Sequence, residues 1–261
     1  MQNHPVVSRE EWLAARRALL LMEKQATQLR DRLNAERQAL PWVRVDKRYC
    51  FEAPEGKRTL ADLFDGRSQL MVYHFMLAPG WAAGCPGCSF LADHLDGALP
   101  HLNHHDVTLT AVSRAPLAEI EAYKARMSWR FPWVSAFGSD FNFDYRVSFT
   151  RRELEHDQLL YNFTAAPVPE GFTETELPGL SAFFRDQDGD IFHTYSSYAR
   201  GPEELIGTLM ILDRAPLGRN EKTTMDFVRR HDEYQEAPSV HAGGAEPSPL
   251  RTPAGGAQLG G

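Results

Sequence analysis

Apolar residues recur every three or four positions between residues 8 and 38: Trp12, Ala15, Leu19, Met22, Ala26, Leu29 and Leu33, with Arg, Glu and Lys between them. This period predicts one long amphipathic helix. Ser8 followed three residues later by Glu11 is a capping-box start, and Pro41 stops the helix. The apolar seam runs for about four heptads. It can pair with another chain or pack on its own domain as an arm, and both readings stay open. Residues 41–68 then read as short extended pieces. Tyr49-Cys50-Phe51 suits a strand, Thr59–Phe64 a short helical turn, and Asp65-Gly66 a turn.

The pattern changes at Leu70–Leu77, a continuous apolar, β-prone run. A Pro/Gly/Trp loop follows, then Cys85-Pro86-Gly87-Cys88, then a new helical spacing at Phe90, Leu91, Leu95 and Leu99. Pro100 and the histidine-rich LNHHD are expected to close that helix. Val107–Val112 reads as the next strand. Ser113 and Pro116 open another helix, carrying Leu117, Ile120, Tyr123 and Met127. Strand–helix–strand–helix order predicts a parallel α/β sheet with a right-handed crossover and ligands at the C-terminal strand ends.

Residues 129–149 are dense in aromatics, with a short extended piece at Trp133–Ala136 and a turn at Gly138-Ser139-Asp140. Their rings form core, or a wall beside the cysteines. Residues 150–176 read as an insertion with one strand around Leu159–Phe163. Leu180–Phe184 and Ile191–Tyr195 flank Asp188-Gly189 and predict a β-hairpin. A calcium loop starting at Asp186 fails, because its twelfth position is Ser197 rather than Glu. Gly201–Leu212 reads as a final helix. From Ala237 the chain is rich in Gly, Pro, Ala and Ser, the composition of a disordered tail. Three regions result: a helical arm at 1–40, an α/β domain at 41–235 and a tail at 236–261.

Composition narrows the function classes. With 261 residues, 43% hydrophobic and 24% charged, the chain fits one well-buried globular domain with additions. A net charge of −7 leaves no basic excess for phosphates, so no nucleic-acid partner is expected. The chain has no long uncharged apolar run and no basic stretch leading into an apolar one, so neither a membrane partner nor a secretory signal is expected. Three cysteines do not make a disulfide scaffold, and the expected compartment is the cytoplasm.

The CxxC therefore carries the chemistry. Pro86 suits the first position of a helix, which puts Cys85 at its N-terminus, where free N–H groups stabilise a thiolate. Cys88, three residues on, is close enough to resolve a mixed disulfide at Cys85. Zinc binding is the first alternative, with His74, His94, His101, His104 and His105 as nearby ligands. A pair of inert buried thiols is the second. Cys50 reads as an ordinary semi-buried residue or an extra redox partner. His74 reads as a satisfied core histidine or a proton-transfer group. His193 faces either the dithiol or the insertion. Arg114, at the C-terminal end of a strand, supports the site or forms a surface ion pair.

This order of elements resembles the thioredoxin fold, in its peroxiredoxin-like branch. The resemblance implies an α/β thioredoxin-like fold with an N-terminal helical arm and an insertion before the C-terminal β-hairpin. VTLTAVSRAP (107–116), FPWVS (131–135) and Asp188-Gly189 are similar to peroxiredoxin segments. The chain also resembles a bacterial thioredoxin-like family of unknown function. The shared pieces are YHFM (73–76), GCPGCSF (84–90), AVSRAP (111–116), WRFPWVS (129–135), HTYS (193–196), ARG (199–201) and LGRNE (217–221).

Departures are informative. The Thr or Ser that peroxiredoxins place three residues before the peroxidatic cysteine is Ala82 here, which weakens a peroxidase reading. Thioredoxins carry Trp directly before the CxxC, whereas Trp81 stands four residues before Cys85. The resemblance implies a cis-proline facing the dithiol, with Pro178 the candidate and an ordinary turn proline the other reading. The expectation is a thiol–disulfide oxidoreductase with Cys85 as nucleophile, Cys88 resolving, and Trp81, Pro86, Pro178, Arg114 and His74 in support. It needs no cofactor. Its partners are a protein or small-molecule disulfide, an external dithiol reductant and a second copy through the N-terminal helix. The rival is a non-catalytic scaffold.

Overall fold

The computed structural model describes residues 4–155, 158–168 and 174–234, so the expected tail lies outside the described residues. Helix α1 spans Arg9–Gln38. It opens on the expected capping box: the Ser8 hydroxyl accepts from the Glu11 N–H, and the Glu11 carboxylate accepts from the Ser8 N–H. No residue of α1 is buried, and Trp12, Leu19, Leu29 and Leu33 are 47–49% exposed. The seam is thus not packed on the chain's own domain. Near its end, Arg37 reaches Glu204 at 3.6 Å and lies over the Tyr195 ring.

Residues 41–68 form β1 (Val43–Arg44), β2 (Cys50–Ala53), β3 (Gly56–Thr59) and a 3-10 turn at Asp62–Phe64. Along β2, Phe51 and Ala53 point inward and Cys50 and Glu52 outward. Cys50 is therefore exposed, which corrects the semi-buried expectation.

The chain continues through β4 (Gln69–His74), α2 (Pro86–Ala92), α3 (Leu99–His104), β5 (Val107–Ser113), α4 (Leu117–Arg126), β6 (Trp133–Ser135) and α5 (Phe141–Asp144). Then come α6 (Arg151–Leu154), β7 (Gln158–Tyr161), β8 (Thr164–Pro167), β9 (Gly179–Arg185), β10 (Ile191–Tyr198) and α7 (Gly207–Leu212). One sheet runs β1-β10-β9-β4-β5-β6-β2-β3. Strands β4, β5 and β6 are parallel, while β9 lies antiparallel to both β4 and β10. The inner order β5-β4-β9-β10, with the CxxC opening the helix that follows β4 and a closing hairpin, is a thioredoxin-like fold.

The strand period of two divides the core. Tyr73, Phe75 and Met71 join Leu91, Ile120, Tyr123 and Leu209, so α2, α4 and α7 cover one face. Leu70 and Val72 join Phe51, Leu63, Phe141, Tyr145 and Phe183 on the other. The dense aromatics of 129–149 are core: Trp129, Phe131 and Trp133 lie on the first face, Phe141 and Tyr145 on the second.

Three expectations about elements change. The helix after the CxxC stops at Ala92, and Pro100 opens α3 instead of closing α2. The turn between them is held from outside: the Asp96 carboxylate accepts from the Arg130 and Phe131 N–H groups, and Asp93 accepts from Trp129 Nε1. The final helix is split at Ile206, with a 3-10 turn at Gly201–Leu205 before α7. The insertion holds a β7–β8 hairpin rather than one strand, and its turn residues Asn162 and Phe163 have φ of 51° and 64°.

Candidate functional site

Local geometry makes Cys85 the N-cap of α2, with Pro86 in the first turn as expected. The Cys85 N–H donates to the Met76 carbonyl at 3.1 Å, which ties the loop back to the strand end. Gly84 permits this approach: a Cβ there would strike the Phe75 ring and lie 2.7 Å from the Tyr123 ring. Ser89 Oγ donates to the Cys85 carbonyl at 2.9 Å and meets Tyr123 Oη at 2.8 Å.

The two thiols are set apart by their surroundings. The Cys88 thiol and the N–H groups of Cys88 and Gly87 donate to Cys85 Sγ and pull its pKa down to about 6, against the opposing effect of burial. Burial, together with the hydrogen bond and negative charge of Cys85, pushes the Cys88 thiol well up. Both cysteines are free thiols in this structure.

Cys85 and Cys88 open onto a cavity of about 140 Å³ whose wall is mostly apolar: Tyr73, Leu91, Pro178, Ala199, Ile206 and Met225 contribute. Tyr73 Oη donates to the Cys88 carbonyl at 3.2 Å. Tyr161, from the insertion, fixes the far wall, since its Oη donates to the Pro178 carbonyl at 2.7 Å and accepts from the Ala199 N–H at 2.8 Å.

The expected supporting residues divide. Pro178 lines the cavity, but the peptide bond before it is trans, because no cis bond occurs among the described residues. Trp81 is half-buried and packs against the same core without lining the cavity. Arg114 points away from the dithiol: its Nε donates to the buried Glu176 carboxylate at 2.7 Å. His74 lies on the opposite sheet face, because the alternation that turns Tyr73 toward Cys88 turns His74 away. There it stacks on Tyr145, and burial lowers its pKa to about 3. His193 joins it through hydroxyls: His74 Nε2 meets Ser181 Oγ, Ser181 Oγ meets Ser196 Oγ and Ser196 Oγ meets His193 Nε2, each at 2.8 Å. Cys50 lies two strands beyond β5 in the sheet and does not line the cavity. Among the described residues no group of three or more His, Cys, Asp and Glu side chains is placed to hold a metal ion.

Tyr73, Tyr161 and Met225 were missed from sequence. Strict alternation along Met71-Val72-Tyr73-His74-Phe75 gives Tyr73 away. Tyr161 and Met225 reach the site through long-range contacts that carry no local signal.

Residues 1–234 match the family described as "Bacterial protein of unknown function (DUF899)". The chain belongs to this family. No curated protein matches it. Among solved structures, it is similar to PrxQ of Xylella fastidiosa, with 15% identity, 62% of this chain and 88% of that chain covered, and a TM-score of 0.38. It is also similar to peroxiredoxin Q of Xanthomonas campestris, at 14% identity, 62% and 90% covered and TM-score 0.38. Peroxidoxin BcpB of Mycobacterium tuberculosis is similar at 14% identity, with 66% and 97% covered and TM-score 0.37. Strand order and register, rather than these likenesses, carry the fold assignment. No helix among the described residues is long and apolar enough to cross a membrane.

Proposed function

We propose that this family member is a cytoplasmic thiol–disulfide oxidoreductase working through Cys85 and Cys88. The observation that carries the reading is the asymmetric pair: a thiol drawn down to about 6 by its neighbours' donors, on an apolar cavity, beside a buried thiol held protonated. Such a pair divides the labour of disulfide exchange. Cys85 thiolate attacks one sulfur of a substrate disulfide, the substrate S–S bond breaks, and the first substrate thiolate leaves and takes a proton. The mixed disulfide removes the Cys85 charge that helps hold Cys88 protonated. Cys88 then gives up its proton, and its sulfur attacks Cys85 Sγ. The second substrate thiol leaves and the Cys85–Cys88 disulfide remains. Two electrons have passed to the substrate, and an external dithiol returns them.

The test is stoichiometric. One equivalent of diethyl disulfide should oxidise the wild-type protein to Cys85–Cys88 and release two ethanethiols. Cys88→Ser should stop at a mixed disulfide on Cys85, read by intact mass. Both cysteines remaining free in the wild type would refute the reading.

We also propose that α1 pairs with α1 of a second copy. Trp12, Leu19, Ala26 and Leu33 fall every seventh residue, as do Ala15, Met22 and Leu29. A strict seven-residue repeat matches another helix with the same repeat, and this one is left uncovered by its own domain.

A further inference from the structure

The chain after α7 folds back over the dithiol. Val228 is buried in the core on the cysteine face, and Phe227 packs edge-on against Phe90 of α2. Arg230 crosses to the loop before Cys85, where its guanidinium donates to the Gly84 carbonyl through Nε at 2.9 Å and Nη2 at 2.6 Å. Arg126 on α4 pairs with Asp232 and Glu233, at 2.7 and 3.1 Å. His231 meets Asp93 at 2.6 Å. The segment is thus anchored on both α2 and α4.

Its near end is anchored by the LGRNE motif. Arg219 donates to Asp213 at 2.6 Å and to Glu203 at 2.5 Å, and stands 3.9 Å from Glu221. Glu203 also pairs with Arg200, and both of those residues line the cavity. Glu221 accepts from the Met225 N–H at 2.8 Å, and Asp226 accepts from the Lys222 and Thr223 N–H groups. These bonds hold Met225 at φ 60°, a left-handed conformation rare for a residue with a side chain. The result brings Met225 into the wall of the cysteines' cavity, where a Cβ built on Gly87 would lie 3.9 Å from each of Cys85 Sγ and Met225 Sδ.

We infer that this strap makes the dithiol selective for small disulfides with slim apolar substituents and shuts out protein disulfides. The inference rests on the redox reading above and names its substrate class. The cavity's 140 Å³ is well below the roughly 300–1,000 Å³ of a drug-sized site. A protein disulfide brings an extended chain at about 3.3 Å per residue, and needs an open groove beside the cysteines. Here Pro178, Ala199, Pro202, Thr224 and Met225 stand around that position. Met225 is the discriminating side chain: it is flexible, apolar and lines the same cavity as Cys85.

Two measurements in a Cys50→Ser background separate this inference from the redox reading. The first is alkylation of Cys85 by iodoacetamide and by a polymer-linked maleimide, which needs no catalysis. Met225→Ala should raise the maleimide rate at least about tenfold and the iodoacetamide rate far less. Equal changes for both reagents would overturn the strap's role. The second is turnover with dithiothreitol as reductant. Wild type should accelerate diethyl disulfide reduction and leave insulin near background, and Met225→Ala should gain insulin reduction. Wild-type reduction of insulin as fast as diethyl disulfide would overturn the inference and leave the redox reading standing. No reduction of either substrate alongside normal alkylation would overturn both. Glu221→Gln is the second variant. It leaves Met225 in place but weakens its anchor, and should move the maleimide rate in the same direction.

Discussion

Cys88 sets the acidity of Cys85. Its thiol is the largest influence lowering the Cys85 pKa, ahead of the two N–H donors of the first helical turn. Cys88→Ala should therefore move the Cys85 pKa upward from about 6, read from the pH dependence of alkylation; an unchanged midpoint would assign the effect to the backbone alone. His74 illustrates the opposite influence, since burial and the neighbouring His193 hold it neutral with a pKa near 3. Free histidine titrates near 6.5, so the unfolded chain binds the extra proton between those values. The contribution is complete above about pH 6.5 and is lost as pH falls toward 3. At about 1.4 kcal/mol per unit, roughly 2–3 kcal/mol disappears between pH 6.5 and 4.5. Denaturant midpoints of wild type and His74→Gln should converge as pH falls across that range; parallel pH curves would contradict the assignment.

At the scale of elements, what the sequence declares is periodic and what it conceals is long-range. The capping box at Ser8, Pro86 in the first turn of α2 and the Asp188-Gly189 hairpin are all local patterns, and each forms as read, while the strand of the Leu70–Leu77 run ends early, at His74. The break after Ala92 is not local. It depends on Asp93 and Asp96 binding Trp129, Arg130 and Phe131, more than 30 residues away. Arg114 is placed in a similar way, because its partner Glu176 is the last residue of the insertion, 62 positions away. Helix α1 was legible as a helix but not in its exposure. Its heptads predict a dimer by light scattering, and Leu19→Glu with Met22→Glu should yield monomers that keep the same core. A wild-type monomer would remove the pairing.

Across the whole molecule, the thioredoxin-like sheet holds the cysteines at the C-terminal end of β4, and later chain completes the site. The insertion contributes Tyr161 to the far wall, and the segment after α7 contributes Met225 and Arg230. Of the cavity wall, the two cysteines and one proline were legible. The enclosing residues were not, because enclosure is a property of packing between distant segments. The proposed disulfide exchange depends on Cys85 being a stable thiolate. The most direct test is the rate of iodoacetamide alkylation of Cys85 against pH, in a Cys50→Ser background. A stable thiolate gives a rapid reaction with a midpoint near 6. A slow reaction that rises only around the ordinary thiol value of about 8.5 would contradict it.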